Sequence, residues 1–212
     1  MGKFQKGILG GFSGKVGTVV GANWRGIDVM RSLPKKSQRA ATEAQLAQRV
    51  KFTEVAKFLG PIRPVVRLYF GQAAGEKSRS NLATSYHLQE AILGAYPNFS
   101  IEYAKVLTTK GDLLGADTPT AAVQNRGEVL FSWSDNTGEG QALATDQVLV
   151  VVYNESKKAF EYKQTATRSS SSYTMPLPAN WSGDTVHCWL SLIAADDSKY
   201  SSSRYLNSVV VL

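Results

Sequence analysis

The chain has 212 residues, a formal net charge of +7 at pH 7, 43% hydrophobic residues, 18 glycines and one cysteine. This apolar content excludes an intrinsically disordered chain, the lack of a three-residue glycine period excludes a collagen-like one, and the lone Cys188 excludes a fold held by internal disulfides. The length suits one large domain or two small ones.

Glycine is concentrated at the start of the chain, where eight of the 18 glycines fall within the first 26 residues. They alternate with β-branched and aromatic residues, which is typical of short extended segments joined by tight bends. The tract 14–31 has β-branched residues on both sides of the turn at 23–26, and this predicts a β-hairpin. Neither phosphate-binding glycine motif, G-x-x-x-x-G-K-[ST] or a strand-to-helix G-x-G-x-x-G, is present, so we interpret the glycines as serving turns and close backbone approach.

Three segments with helical spacing of apolar residues follow the basic linker 31–39. The first begins at Thr42, which forms a capping-box pattern with Gln45, and it ends at Gly60-Pro61. The second runs from about 62 to 70 and the third from about 81 to 93. Together they predict a small helical cluster.

After Pro97 the pattern changes to the alternation of a strand, beginning at Phe99, Ile101 and Tyr103. Further along, short strand-like segments are separated by turn-rich stretches. Their ranges are 128–133, 147–153, 159–164, 171–175, 185–195 and 207–212. This series predicts an antiparallel immunoglobulin-like β-sandwich, so the expected fold class is α+β.

Charge also differs between the two halves of the chain. Residues 1–112 hold 17 Lys and Arg against 7 Asp and Glu, whereas residues 113–212 hold 7 against 10. We therefore expect two domains: a basic Gly-rich hairpin and helical domain over 1–112, and a sandwich domain over 113–212.

The candidate site is a set of basic residues near the N-terminus, with Asp28 as the single acid among them. The set comprises Lys3, Lys6, Lys15, Arg25, Arg31, Lys35, Lys36 and Arg39. Such a set could contact the phosphates of a nucleic acid, or it could surround a contact with another copy of the chain or another protein subunit. Few aromatic residues are available there for base stacking, only Phe4, Phe12 and Trp24, which favours protein contact.

Residues suited to catalysis are scarce. His87 and His187 lie about 100 residues apart with no metal-ligand spacing, and adjacent His187 and Cys188 should point to opposite faces of a strand, which leaves Cys188 in the sandwich core. Asp196-Asp197 lies in a turn, where Asp is common for its local backbone bonds. We therefore predict no catalytic residue, metal or cofactor, and no enzyme. Trp181 and Tyr200 are candidate exposed platforms for stacking on a carbohydrate.

The second half resembles a fibronectin type III sandwich in its segments 129–133, 173–178 and 208–211. The whole chain resembles an uncharacterised bacterial family, found mostly in Bacteroidota, in the glycine-rich tract 7–21, the elements 24–26 and 31–34, and the helix start 42–48. This resemblance implies the architecture and no activity.

The resulting hypothesis is a structural or interaction protein that is a subunit of a larger assembly, for example a phage-particle-like structure. A nucleic-acid-binding protein is the alternative. Lacking a secretory signal and a transmembrane segment, the chain is expected in the cytoplasm or in a particle, without membrane insertion.

Overall fold

The computed structural model describes residues 10–24, 26–35, 40–73 and 77–212, together with the backbone of residues 3–4. The chain forms two compact units, residues 1–42 and residues 43–212. The boundary expected near residue 112 therefore falls inside the second unit.

The first unit contains a four-stranded antiparallel sheet with the strand order β1-β2-β3-β4. Its strands are β1 (Lys3–Phe4), β2 (Phe12–Val16), β3 (Val19–Trp24) and β4 (Ile27–Ser32). Strands β3 and β4 pair from Val19 opposite Ser32 to Trp24 opposite Ile27, so the predicted hairpin is confirmed. The turn between β2 and β3 contains Gly17 at a φ of +60°, a conformation that favours glycine.

Close backbone approach explains another glycine of this sheet. A Cβ atom at Gly21 would collide with the carbonyl oxygen of Phe12 and would lie 2.7 Å from carbons of the Phe12 ring. Because real Cβ atoms do not approach other atoms so closely, this position accepts only glycine unless the sheet shifts. The interpretation of the glycines as serving turns and close approach is confirmed at Gly17 and Gly21.

The second unit contains an antiparallel β-sandwich, which confirms the predicted α+β class. A three-stranded sheet has the order β11-β8-β7 and a four-stranded sheet the order β10-β9-β12-β13. The strands are β7 (Asp117–Val123), β8 (Glu128–Ser134), β9 (Gln147–Asn154), β10 (Ala159–Thr167), β11 (Ser172–Pro176), β12 (Thr185–Ile193) and β13 (Arg204–Val210). Six correspond to predicted strands, and β7 was not predicted.

Three helices precede the sandwich: α1 (Glu43–Leu59), α2 (Arg63–Tyr69) and α3 (Arg79–Glu90). Helix α1 begins directly after Thr42 and ends before Gly60, as predicted, whereas α3 ends three residues early because a short hairpin, β5 (Ile92–Ala95) and β6 (Asn98–Ile101), follows it. The strand expected from Phe99 is confirmed as far as Ile101 in β6, but its extension to Tyr103 is wrong, since Tyr103–Lys105 forms a 3₁₀ turn. Among the described residues, no helix is long and apolar enough to cross a membrane.

The four-stranded sheet is covered on both faces, by the other sheet on one side and by the helices on the other. In β9, Val148, Val150 and Val152 belong to the core between the two sheets. The alternate residues Leu149, Val151 and Tyr153 pack in a second core with the helices. A strand buried on both faces has a continuous apolar run. The division expected at residue 112 is replaced by one at residue 42, because removing the helices would expose one whole face of this sheet.

Candidate interaction surface

One face of the N-terminal sheet combines apolar and basic side chains. Lys15 in β2 lies opposite Val20 in β3, and Val20 lies opposite Arg31 in β4, so the three residues form a row across the sheet. Directly paired residues share a face, and residues two apart along a strand share it too. This face, which we call the Trp24 face, therefore also carries Trp24, Ile27 and Val29.

The Trp24 face is open to solvent. Trp24 is 48% exposed, Ile27 54% and Val29 36%, and Met30 on the opposite face is 70% exposed. Among the described residues of the first unit, Gly21 alone is buried. Because a sheet normally buries one face against another layer, this sheet presents apolar surface that its own unit does not cover.

The net charge of the protein resides in this unit. Residues 1–42 contain eight Lys and Arg and one acidic residue, Asp28, which accounts for the whole formal charge of +7. The other 170 residues hold equal numbers of basic and acidic side chains. The candidate surface is therefore apolar and positively charged at the same time.

The structure places part of the predicted basic set in this sheet. Lys15 and Arg31 share one row of the Trp24 face, Lys35 is exposed just after β4, and the backbone of Lys3 pairs with Ser13. The remaining candidates, Lys6, Arg25, Lys36 and Arg39, lie outside the described residues. Sequence reasoning named the cations and missed the apolar half of the surface, since Ile27 and Val29 in a strand are normally taken for core residues.

The only cysteine lies on the opposite face of its strand from the neighbouring histidine, as predicted. Cys188 is fully buried in the core between the two sheets, and this burial raises the pKa of its thiol to about 12. His187 instead stacks on Tyr103, with ring centroids 3.8 Å apart, and its Nδ1 lies 3.1 Å from the hydroxyl of Tyr205. A buried, protonated thiol facing away from the imidazole cannot act as its nucleophilic partner.

The other histidine belongs to the helical core. The imidazole of His87 on α3 is fully buried, its Nδ1 lies 2.8 Å from the carbonyl oxygen of Ala83 one turn earlier, and its ring contacts the ring of Phe58. Burial lowers the pKa of His87 below its ordinary value of 6.5 because it disfavours the charged form.

This lowered pKa predicts a pH-dependent stability. In the unfolded chain His87 takes up a proton as the pH falls below 6.5, whereas in the folded chain it resists protonation. The free energy of unfolding should therefore fall between pH 7.5 and pH 5.5, and a His87→Gln variant should lose part of that dependence. Urea unfolding at both pH values measures the effect, and an identical pH dependence in the two proteins would contradict it.

The surroundings of Asp196, Trp181 and Tyr200 show the role of each of these three candidate residues. Asp196 accepts bonds from the backbone and the hydroxyl of Ser198, which is the turn role expected for it. Within the described ranges, no group of three or more His, Cys, Asp or Glu residues could hold a metal ion. The suggestion that Trp181 and Tyr200 are exposed platforms is wrong: each is 3% exposed, because Trp181 lies in the core between the sheets and Tyr200 in the core beneath the helices.

Comparison with known proteins identifies a family. A model described as "Family of unknown function (DUF6266)" matches residues 11–207. No curated protein is similar in sequence to this chain.

Solved structures resemble part of the chain. The fn3 domain of human collagen alpha-1(XX) chain is 13% identical with a TM-score of 0.34, covering 46% of this chain and 84% of its own. The FN1–FN3 domains of chicken CNTN1 are 12% identical with a TM-score of 0.37, covering 49% of this chain and 33% of their own. A computationally redesigned β-sandwich protein is 13% identical with a TM-score of 0.34, covering 48% of this chain and 94% of its own.

Proposed function

We propose that this chain, which belongs to the family of unknown function DUF6266, is a non-enzymatic structural or interaction protein. Its N-terminal sheet docks onto other copies of the chain in a larger assembly, of the kind found in phage particles and other bacterial multi-subunit structures, in the cytoplasm or in a particle. The sandwich serves as the packing or adhesion module of that assembly.

The uncovered Trp24 face carries this proposal. Three large apolar side chains, Trp24, Ile27 and Val29, are each more than a third exposed on one face of a sheet that has no apolar core of its own among the described residues. Contiguous exposed apolar surface of this kind is characteristic of protein contacts, because covering it removes apolar area from water.

Charge favours another copy of the chain as the occupant. The first unit carries the whole net charge of +7, whereas residues 113–212 hold 7 basic and 10 acidic residues. A positive sheet in one copy and a mildly negative sandwich in the next attract each other, and this attraction orients the two copies as they approach.

The test is the mass of the protein in solution. Size-exclusion chromatography with light scattering should give a mass well above the 23.0 kDa of one chain, and an Ile27→Thr/Val29→Thr variant should shift towards the monomer at the same concentration. A matched control is Leu93→Thr/Val210→Thr, which removes two exposed aliphatic side chains from strands of the second unit. A wild-type monomer at high concentration, or equal masses for all three proteins, would overturn the proposal.

A second function is favoured by the concentration of charge. Eight cations within residues 3–39 are enough to neutralise several phosphates, so nucleic acid is the alternative partner. Binding of this kind should weaken steeply with salt and should be lost in the variant with Lys35, Lys36 and Arg39 changed to Ala. Absorbance at 260 nm that co-elutes with the protein and disappears after nuclease treatment would favour this function over self-assembly.

A further inference from the structure

A second basic feature lies in the other unit, in a groove beside helices α2 and α3. The groove has a volume of about 460 Å³ and is lined by polar and basic side chains. They include Arg63, Arg67, Ser78, Arg79, Ser80 and Asn81. Three arginines thus surround one small space, although their positions in the sequence show no motif.

The side chains of two of these arginines have no partner among the described residues. Arg63 and Arg67 are one turn apart on α2, so their side chains are neighbours on the helix surface. Both are exposed, and neither guanidinium forms a hydrogen bond or ion pair with any part of the chain that the structure describes. Two unpaired like charges at this spacing repel each other, which is an unfavourable arrangement unless an anion lies between them.

The third arginine is held in place. Arg79 donates a hydrogen bond from Nη1 to the carbonyl oxygen of Leu68, and its guanidinium carbon lies 5.6 Å from the ring centroid of Tyr200. That ring is fixed in turn, because the Tyr200 hydroxyl donates to the carbonyl oxygen of Gly71 over 2.6 Å. The guanidinium has five N–H donors in a rigid plane. One of them is used in the bond to Leu68, and these contacts fix the orientation of the other four.

The described lining of the groove contains no acidic side chain. Neither α2 nor α3 has an acidic residue in its first turn. Arg79 is the first residue of the 12-residue helix α3, where the helix dipole already favours anions over cations. The groove therefore combines three guanidinium groups and a helix N-terminus in one region of positive potential.

We propose that this groove binds the phosphate group of a small phosphorylated ligand. Guanidinium groups match the oxygens of phosphate in bidentate geometry, and three of them line this groove together with the hydroxyl-bearing side chains Ser78 and Ser80. The volume is in the range of small-molecule sites. This site lies within residues 43–212, so it stands independently of the docking surface on the first unit.

The test compares two variants that lose the same charge. Binding of pyrophosphate to the full chain is measured by isothermal titration calorimetry at about 0.15 M salt, which screens interactions between exposed, separated charges. Arg63→Gln/Arg67→Gln should bind at least about tenfold more weakly than wild type, since each lost charge-assisted contact is worth about that factor. Arg126→Gln/Lys163→Gln removes two exposed cations elsewhere in the unit and should bind like wild type.

Inorganic phosphate, titrated in parallel, identifies the ligand chemistry. Pyrophosphate binding more tightly than phosphate supports a diphosphate ligand, and equal binding supports a single phosphate group. Equal weakening in both double variants would reveal general electrostatic attraction and would overturn the proposal. Failure of the wild-type chain to bind either anion at millimolar concentration would overturn it as well.

Discussion

Replacing Asp146 with Ala is expected to lower the free energy of unfolding by about 3–5 kcal/mol, because it leaves the guanidinium of Arg168 buried without its counter-charge. Both side chains are sealed from solvent, with 0% exposure for Arg168 and 1% for Asp146. One carboxylate oxygen of Asp146 accepts from Nε of Arg168 over 3.2 Å and from Nη2 over 2.9 Å. Unfolding in guanidinium chloride, followed by tryptophan fluorescence, measures this loss of stability.

The size of the effect follows from how completely Arg168 is bonded. Its side chain also donates to the side chain of Asn136 and to the carbonyl oxygens of Leu114 and Gly115, so it joins three loops at one end of the sandwich. Removing the carboxylate of Asp146 removes its two bonds with Arg168 and the buried negative charge that is paired with this guanidinium. An Asp146→Leu/Arg168→Met double variant should recover much of the stability, because replacing both charges by apolar groups avoids the unpaired ion.

A matched control is Glu139→Ala, which removes an exposed carboxylate from the same loop region. Its unfolding midpoint should stay close to that of the wild type. If Asp146→Ala unfolds at the same denaturant concentration as Glu139→Ala, then Arg168 finds other compensation and the ion pair does not stabilise the fold.

The parts of the fold that sequence predicts are those with strong local signals. For helix α1, the start signal at Thr42 and the stop signal at Gly60-Pro61 are both local in the sequence, and the helix begins and ends where they predict. Strand β7 has no such signal. Its buried positions are occupied by Pro119 and Ala121, which are small or poor strand formers, and it is tolerated because it pairs on one side only, at the edge of its sheet.

Tertiary packing limits the prediction of both domains and site. The apolar run from Val148 to Tyr153 is a local sequence signal of a strand that is buried on both faces. The sequence alone does not indicate that helix α1 packs on one of those faces. The same difficulty affects the N-terminal sheet, where Ile27 and Val29 have the pattern of core residues and are exposed. In the groove, Arg79 meets Arg63 and Arg67 only because α2 and α3 pack side by side.

Helix and sandwich should therefore unfold together, and Phe58→Ala should destabilise both by about 3–5 kcal/mol. Phe58 on α1 is 5% exposed. Its ring centroid lies 5.0 Å from that of Tyr153 on β9 and 5.2 Å from that of Phe160 on β10. Truncating it leaves a cavity at the junction between the helices and the four-stranded sheet. Far-ultraviolet circular dichroism at 222 nm reports the helices, and tryptophan fluorescence reports mainly the sandwich, which holds three of the four tryptophans.

The two signals should shift to lower denaturant concentration together, because buried Trp189 of β12 belongs to the same core as Phe58. Phe52→Ala is the matched control on the same helix: Phe52 is 53% exposed, so its truncation should change the free energy of unfolding by no more than about 0.5 kcal/mol. Two independent domains divided near residue 112 would respond differently. In that case Phe58→Ala would lower the midpoint of the helical signal and leave the tryptophan signal of the sandwich in place, which the shared core does not allow.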